Sequence, residues 1–152
     1  MIKANVILDH SSWENKLINP IQYIKKRLKK LSKHYQFKNK KQEFTILLTN
    51  NNKIKKLNKK FRNKNKSTDV LSFPFENKIK KKELYLGDIV ISYNFMDKPK
   101  NQNLSLFKDK VIKTFIHGFL HLLGFDHKKN IDYKKMIIEE EKIYQSVISK
   151  IN

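Results

Sequence analysis

The sequence predicts an α+β fold: a small, mixed four-stranded sheet packed with helices on one or both faces. Three features point to it. Short apolar stretches of strand character lie at residues 2–8, 43–49, 69–75 and 84–92, alternating with helical patterns. Two longer helical patterns, from about 105 to 123 and from about 131 to 149, then follow with no strand between them. The chain of 152 residues is the size of one ordinary domain, so 1–152 is read as a single unit.

The elements follow in order. IKANVIL, residues 2–8, alternates like a strand. Asn19-Pro20 then offers an N-cap followed by proline in the first helical turn. Ile21, Ile24, Leu28, Leu31 and Tyr35 recur at helical spacing behind it, and Lys25, Lys26, Lys29, Lys30 and Lys33 supply a solvated face. EFTILLT, 43–49, is the second strand. A short helix from about Asn51 carries Ile54, Leu57 and Phe61 on one side. DVLSFPF, 69–75, is the third strand, and Pro74 marks it as an edge or an end. The polar stretch ENKIKKKE, 76–83, reads as an exposed connection before the fourth strand, LYLGDIVIS. In the last helix Tyr133, Ile137, Tyr144 and Ile148 form one stripe.

Composition narrows the function classes. The formal charge of +20 suits a polyanionic partner such as RNA, but nearly all of it is lysine, with Arg27 and Arg62 the only arginines. Lysine, asparagine and isoleucine are all abundant and all have A+T-rich codons, so base composition accounts for much of the basicity. An arginine kept in such a chain is therefore more informative than another lysine. With no cysteine, disulfide-linked partners and thiolate metal sites are excluded, and any transition-metal site must use histidine and carboxylate. No apolar run is long enough for a membrane span or a signal peptide, so a cytoplasmic location is expected.

The chemistry concentrates in HGFLHLLGFDH, 117–127, which holds three of five histidines and two of three glycines. On an otherwise apolar helix, Lys110, Thr114, His117 and His121 form a polar line, with the two histidines one turn apart on one face. Gly124 can end the helix in a left-handed conformation and let the chain bring His127 back. Three neutral imidazoles leave an ion its full charge and an open position, the arrangement of a catalytic site; structural sites are usually closed by four ligands. Asp126 or a backbone carbonyl would orient a ligand through its second nitrogen. Gly118 in the helix interior suggests close approach by a neighbour, since glycine there costs about 1 kcal/mol relative to alanine. The stretch keeps the histidines and glycine of the metzincin pattern H-E-x-x-H-x-x-G-x-x-H, giving a zincin-like metal-site helix. Gly118 replaces the glutamate that serves those peptidases as general base, which disfavours peptide hydrolysis by that route.

The segment also resembles the signature H-G-x-L-H-L-x-G-y-D-H of the YbeY endoribonucleases, bacterial rRNA maturation factors, with Phe125 where tyrosine is frequent. LNKKFRNKNKSTDVLSFPF, 57–75, is similar to that family's stretch of an arginine followed by T-D-V-L-S-F-P, and LGDIVIS, 86–92, to its G-D-I strand. The resemblance implies a zinc-type ion held by His117, His121 and His127, and a single-strand-specific endoribonuclease. It further implies action on ribosomal RNA and the small ribosomal subunit, in 16S maturation and quality control, with Arg62 as the motif arginine near the metal. Arg62 would stabilise charge on a phosphoryl oxygen. Asp69 reads as a cap of the turn into the strand. Phe73, Phe75 and Tyr85 read as core aromatics, with base stacking as the other reading. Two alternatives remain beside the nuclease: a zincin-like metallopeptidase, and a ribosome-associated RNA-binding protein with a structural metal.

Overall fold

The computed structural model describes residues 1–34, 41–75 and 85–148. Strand β1 (Ile2–Leu8) leads through a 3-10 turn (Ser11–Asn15) to helix α1 (Pro20–Lys33). Strand β2 (Gln42–Thr49), helix α2 (Asn51–Arg62), strand β3 (Val70–Pro74) and strand β4 (Tyr85–Ser92) follow. The one-turn helix α3 (Tyr93–Met96) and the long helices α4 (Leu104–Leu122) and α5 (Asn130–Ile148) complete the order. The sheet runs β1-β2-β4-β3, with β1, β2 and β4 parallel and β3 antiparallel to β4. Pro74 therefore does end an edge strand. The connection at 76–83, Leu84 and Tyr35 lie outside the described residues.

The helix starts obey the capping logic of the sequence. Asn19 accepts from the Gln22 amide at 3.1 Å, Asn50 from Lys53 at 3.1 Å and Asn103 from Leu106 at 2.9 Å. Each bond satisfies an amide that the helix itself leaves without a partner.

The two faces of the sheet bury different sets, as period-2 alternation requires. Phe44, Ile46, Leu48, Ile89 and Ile91 join the main core beneath α1, α4 and α5. Leu71 and Val90 face the other way, under Ile54 of α2. Trp13, wholly buried, closes the main core where the 3-10 turn passes and donates its Nε1 hydrogen to the Thr49 carbonyl at 3.0 Å. Among the described residues no helix is long and apolar enough to cross a membrane.

Three expected core assignments change. In α5 the buried residues are Met136, Ile143 and Val147, while Tyr133, Ile137 and Ile148 are exposed and Tyr144 is half-buried. The helix is rotated so that the stripe 136, 140, 143, 147 meets α1 and α4, which turns Glu140 inward as well. Phe61 is exposed because it sits in the last turn of α2, beyond the rows that cover it. Phe73 packs at the margin of the second core as expected, but Tyr85 is only partly buried and Phe75 is exposed, because α2 does not extend over that end of the sheet.

Helix α4 lies close against β3 and β4 at Gly118. A Cβ there would come within 2.9 Å of Ile89 Cγ2, 3.1 Å of Ser72 Oγ and 3.3 Å of Val70 Cγ2. Ser72 Oγ also donates to the Gly118 carbonyl at 3.0 Å. The close approach inferred from the helix glycine is thus met by the sheet. Gly118→Ala gains about 1 kcal/mol of helix propensity but overpacks a branched methyl that cannot swing aside, a cost of about 1–3 kcal/mol. We expect a net loss of up to about 2 kcal/mol, read as a lower midpoint in urea with an unchanged slope.

Candidate metal centre

Helix α4 presents His117 and His121 on one face and ends immediately after them. Leu123 and Gly124 donate to the carbonyls of Leu120 and His121, each at 3.1 Å, and Phe125 to that of Leu120 at 3.1 Å. Gly124 takes φ +97°, a backbone conformation that side chains other than hydrogen resist. The chain then reverses and returns His127 towards the two helical rings. One nitrogen from each of the three histidines lies within 4.8 Å of the others, so the triad could hold a metal ion.

The second nitrogens decide whether the donors fit. His121 Nδ1 lies 2.9 Å from the Phe125 carbonyl, which can only accept, so that nitrogen carries the hydrogen. His117 Nδ1 lies 2.6 Å from Glu140 Oε1 and donates to the carboxylate in the same way. Both Nε2 atoms are then left with lone pairs, and they face each other at 3.1 Å. Two lone pairs at that distance repel unless a cation sits with them. A tetrahedral zinc with nitrogen bonds of about 2.0–2.1 Å would want its donors about 3.3 Å apart. Burial, and after it the neighbouring His117, hold the His121 imidazole below the ordinary histidine range, which favours its neutral form, the form that binds a metal. The donor set therefore fits a divalent metal.

Of the orienting groups considered from sequence, the backbone carbonyl is the one found. Asp126 Oδ1 instead accepts from the His127 amide at 2.7 Å, a bond that holds its carboxyl below the usual range. Glu140 escaped sequence reasoning. It stands in the run Glu139-Glu140-Glu141, and only the rotation of α5 tells which of the three reaches His117.

The histidines sit at one side of a groove of about 830 Å³. Its other wall is the end of α2, the chain after it and the edge strand β3, and Arg62 stands there. Arg62 Nη2 donates to the Ser72 carbonyl at 2.5 Å, and its guanidinium carbon lies 5.5 Å from the centre of the Phe73 ring. The side chain is exposed, and its remaining donors are available to a ligand in the groove. Arg62, Lys64, Lys66 and Lys128 outnumber the two carboxylates on the lining, Asp69 and Asp126. Asp69 Oδ1 accepts from the Val70 amide at 2.8 Å, and its carbonyl from Ser92 at 2.9 Å, so Asp69 does cap the entry to β3. Thr68 Oγ1 bonds the same carboxylate at 3.2 Å.

Comparisons agree with this layout. The solution structure of TM1509 from Thermotoga maritima superposes with a TM-score of 0.54 over 97% of this chain and 89% of that one, at 24% identity, and so shares the fold. The endoribonuclease YbeY of Pelagibacter ubique is 57% identical over 152 residues, 99% of both chains. That of Persephonella marina is 33% identical over 130 residues, 84% of each. The family model described as endoribonuclease YbeY matches residues 8–148, and with these relatives it shows that the chain belongs to the endoribonuclease YbeY family.

Proposed function

We propose that the chain, acting as one unit over 1–152, is a metal-dependent endoribonuclease specific for single-stranded RNA. Its setting is the cytoplasm, in the maturation of 16S ribosomal RNA and the quality control of the small ribosomal subunit. His117, His121 and His127 hold one divalent ion, zinc by the chemistry of the donor set. The observation that carries this reading is the convergence of three imidazoles, two of their Nε2 atoms 3.1 Å apart, beside a groove whose far wall carries Arg62. A zinc-type ion, when bound, supplies Lewis acidity to an oxygen ligand.

The residues of the chain supply the rest. Glu140 and the Phe125 carbonyl keep the helical imidazoles in one tautomer and one orientation. Arg62 is anchored through Nη2 on Ser72 and offers its other N–H groups to a phosphate, where they oppose the charge that grows on the non-bridging oxygens. Lys64, Lys66 and Lys128 hold the strand by its backbone, a contact indifferent to sequence and weakened by salt. The peptidase reading gains nothing from Glu140, because that carboxylate is engaged by His117 Nδ1 on the side away from the Nε2 atoms.

Three measurements test the reading. Glu140→Ala should bind zinc about 10–100-fold more weakly in a chelator competition, with Glu140→Gln in between because its amide oxygen still accepts from Nδ1. Arg62→Lys should bind metal as the parent does yet cleave RNA about 100-fold more slowly, since a compact ammonium lacks the planar fork that spans Ser72 and a phosphate. Parental cleavage by Arg62→Lys would remove the arginine from the mechanism. Ribosomal RNA incubated with the protein should be cut, and the cutting should vanish both with chelator and in His117→Ala. RNA binding without any cleavage, together with rescue of ribosome assembly by the histidine variant, would favour the RNA-binding protein with a structural metal.

A further inference from the structure

Four aromatic rings follow one another over the end of α2, β3 and the start of β4, on the sheet face opposite to α4. Phe61 meets Phe73 edge to face at 5.5 Å between ring centres, and Phe75 meets Tyr85 at 5.7 Å. Burial falls off along β3 as α2 runs out above it. Leu71 is 6% exposed, Phe73 intermediate and Phe75 52%, while Phe61 at the helix end is 60% exposed. Single exposed phenylalanines are ordinary on protein surfaces. Two edge-to-face pairs on one sheet face, beside a basic groove, are a different matter.

Charge says what the set faces. Lys60 Nζ lies 5.2 Å from the centre of the Phe61 ring and the Arg62 guanidinium 5.5 Å from that of Phe73. Helix α2, NNKIKKLNKKFR, carries no carboxylate at all. On the far side the Tyr85 hydroxyl donates to Asp88 Oδ1 at 2.5 Å and lies 2.6 Å from Thr45 Oγ1, which pins the ring. Cations thus flank the rings on the α2 side and a carboxylate marks the other. A polyanion with planar apolar groups fits that order, its phosphates along Lys60 and Arg62 and its bases towards the rings.

We propose that Phe61, Phe73, Phe75 and Tyr85 form a stacking subsite for unpaired bases of an RNA strand that reaches the histidine groove past Arg62. The proposal rests on the ribonuclease reading above. Arg62 is the hinge of the two regions, since it lines the groove and covers Phe73. Stacking is tolerant of base identity because every base offers a π face, so the subsite would select single strands, whose bases are free to splay, without selecting a sequence. Ser72, between Leu71 and Phe73, faces α4, so successive residues of one edge strand serve the two sides of the sheet.

The test is equilibrium binding of the full chain to a fluorescent single-stranded oligoribonucleotide and to an abasic strand of equal length. Phe61→Ala and Phe75→Ala should each weaken binding of the base-bearing strand about tenfold and together more, leaving the abasic strand unchanged. Phe75→Trp should keep the affinity and show tryptophan fluorescence quenched on binding, whereas Phe75→Leu should behave as the alanine variant. Equal affinity of the parent and both alanine variants for the base-bearing strand overturns the subsite, as does full retention by Phe75→Leu, which would mark an apolar patch for another protein. A parent that cleaves RNA while the alanine variants bind normally leaves the ribonuclease reading standing and removes only the subsite. A parent that neither binds nor cleaves RNA removes both.

Discussion

The approach of α4 to the edge of the sheet at Gly118 is the constraint on which the site depends. Only a residue without a side chain lets the helix backbone come this near Val70, Ser72 and Ile89. The bond from Ser72 Oγ to the Gly118 carbonyl fixes the height of the helix above β3. His117 adjoins that point and His121 lies one turn beyond, so the same contact sets their distance from the strand to which Arg62 is tied. Three imidazoles that could hold a metal and an arginine drawn from a separate element thereby come to share one groove.

Much of this was legible in the sequence because it depends on local rules. The four strands, the capped helices and the ending of α4 at Gly124 follow from periodicity and from residues that only certain backbone conformations accept. The triad was legible for the same reason: a one-turn spacing followed by a helix-ending glycine is a local geometry. What stayed hidden depends on packing between distant elements. Both the stripe of Tyr133, Ile137, Tyr144 and Ile148 and that of Met136, Ile143 and Val147 repeat at helical spacing. Contact with α1 and α4 selects the second. That choice also turns Glu140 towards His117, so the misassigned stripe and the missed carboxylate have one cause. Likewise the exposure of Phe61 and Phe75 is set by where α2 stops over the sheet, which no periodicity within either segment reports.

The charge of the chain acquires a structure of its own in the fold. A formal +20 spread over a small protein would repel itself without purpose if it were uniform. The acidic residues are instead given specific tasks. Asp69 caps the strand entry, Asp126 accepts from the His127 amide, Glu140 orients an imidazole and Asp109 accepts from the Tyr144 hydroxyl, which with burial pushes that phenol up to about 12. Each is bonded to a neighbouring donor, and lysines are left to dominate the groove rim. The two arginines are both committed: Arg27 donates to the Val147 carbonyl at 3.4 Å and Arg62 to that of Ser72. This is where a planar donor fork has an advantage over the abundant lysine.

Strand β3 lies at the border of the sheet, and such borders can recruit a strand from another molecule. The cross-strand bonds at Asp69 with Ser92 and at Phe75 with Leu86 leave the alternate backbone groups of Val70, Ser72 and Pro74 facing outward. The Val70 amide is taken by the Asp69 carboxylate, the Ser72 carbonyl by Arg62, and Pro74 has no amide hydrogen to give. Residues that line the groove thus also blunt the border. The border is thereby a poorer template for a strand from a second copy of the chain, and Arg62 holds one of its carbonyls out of reach.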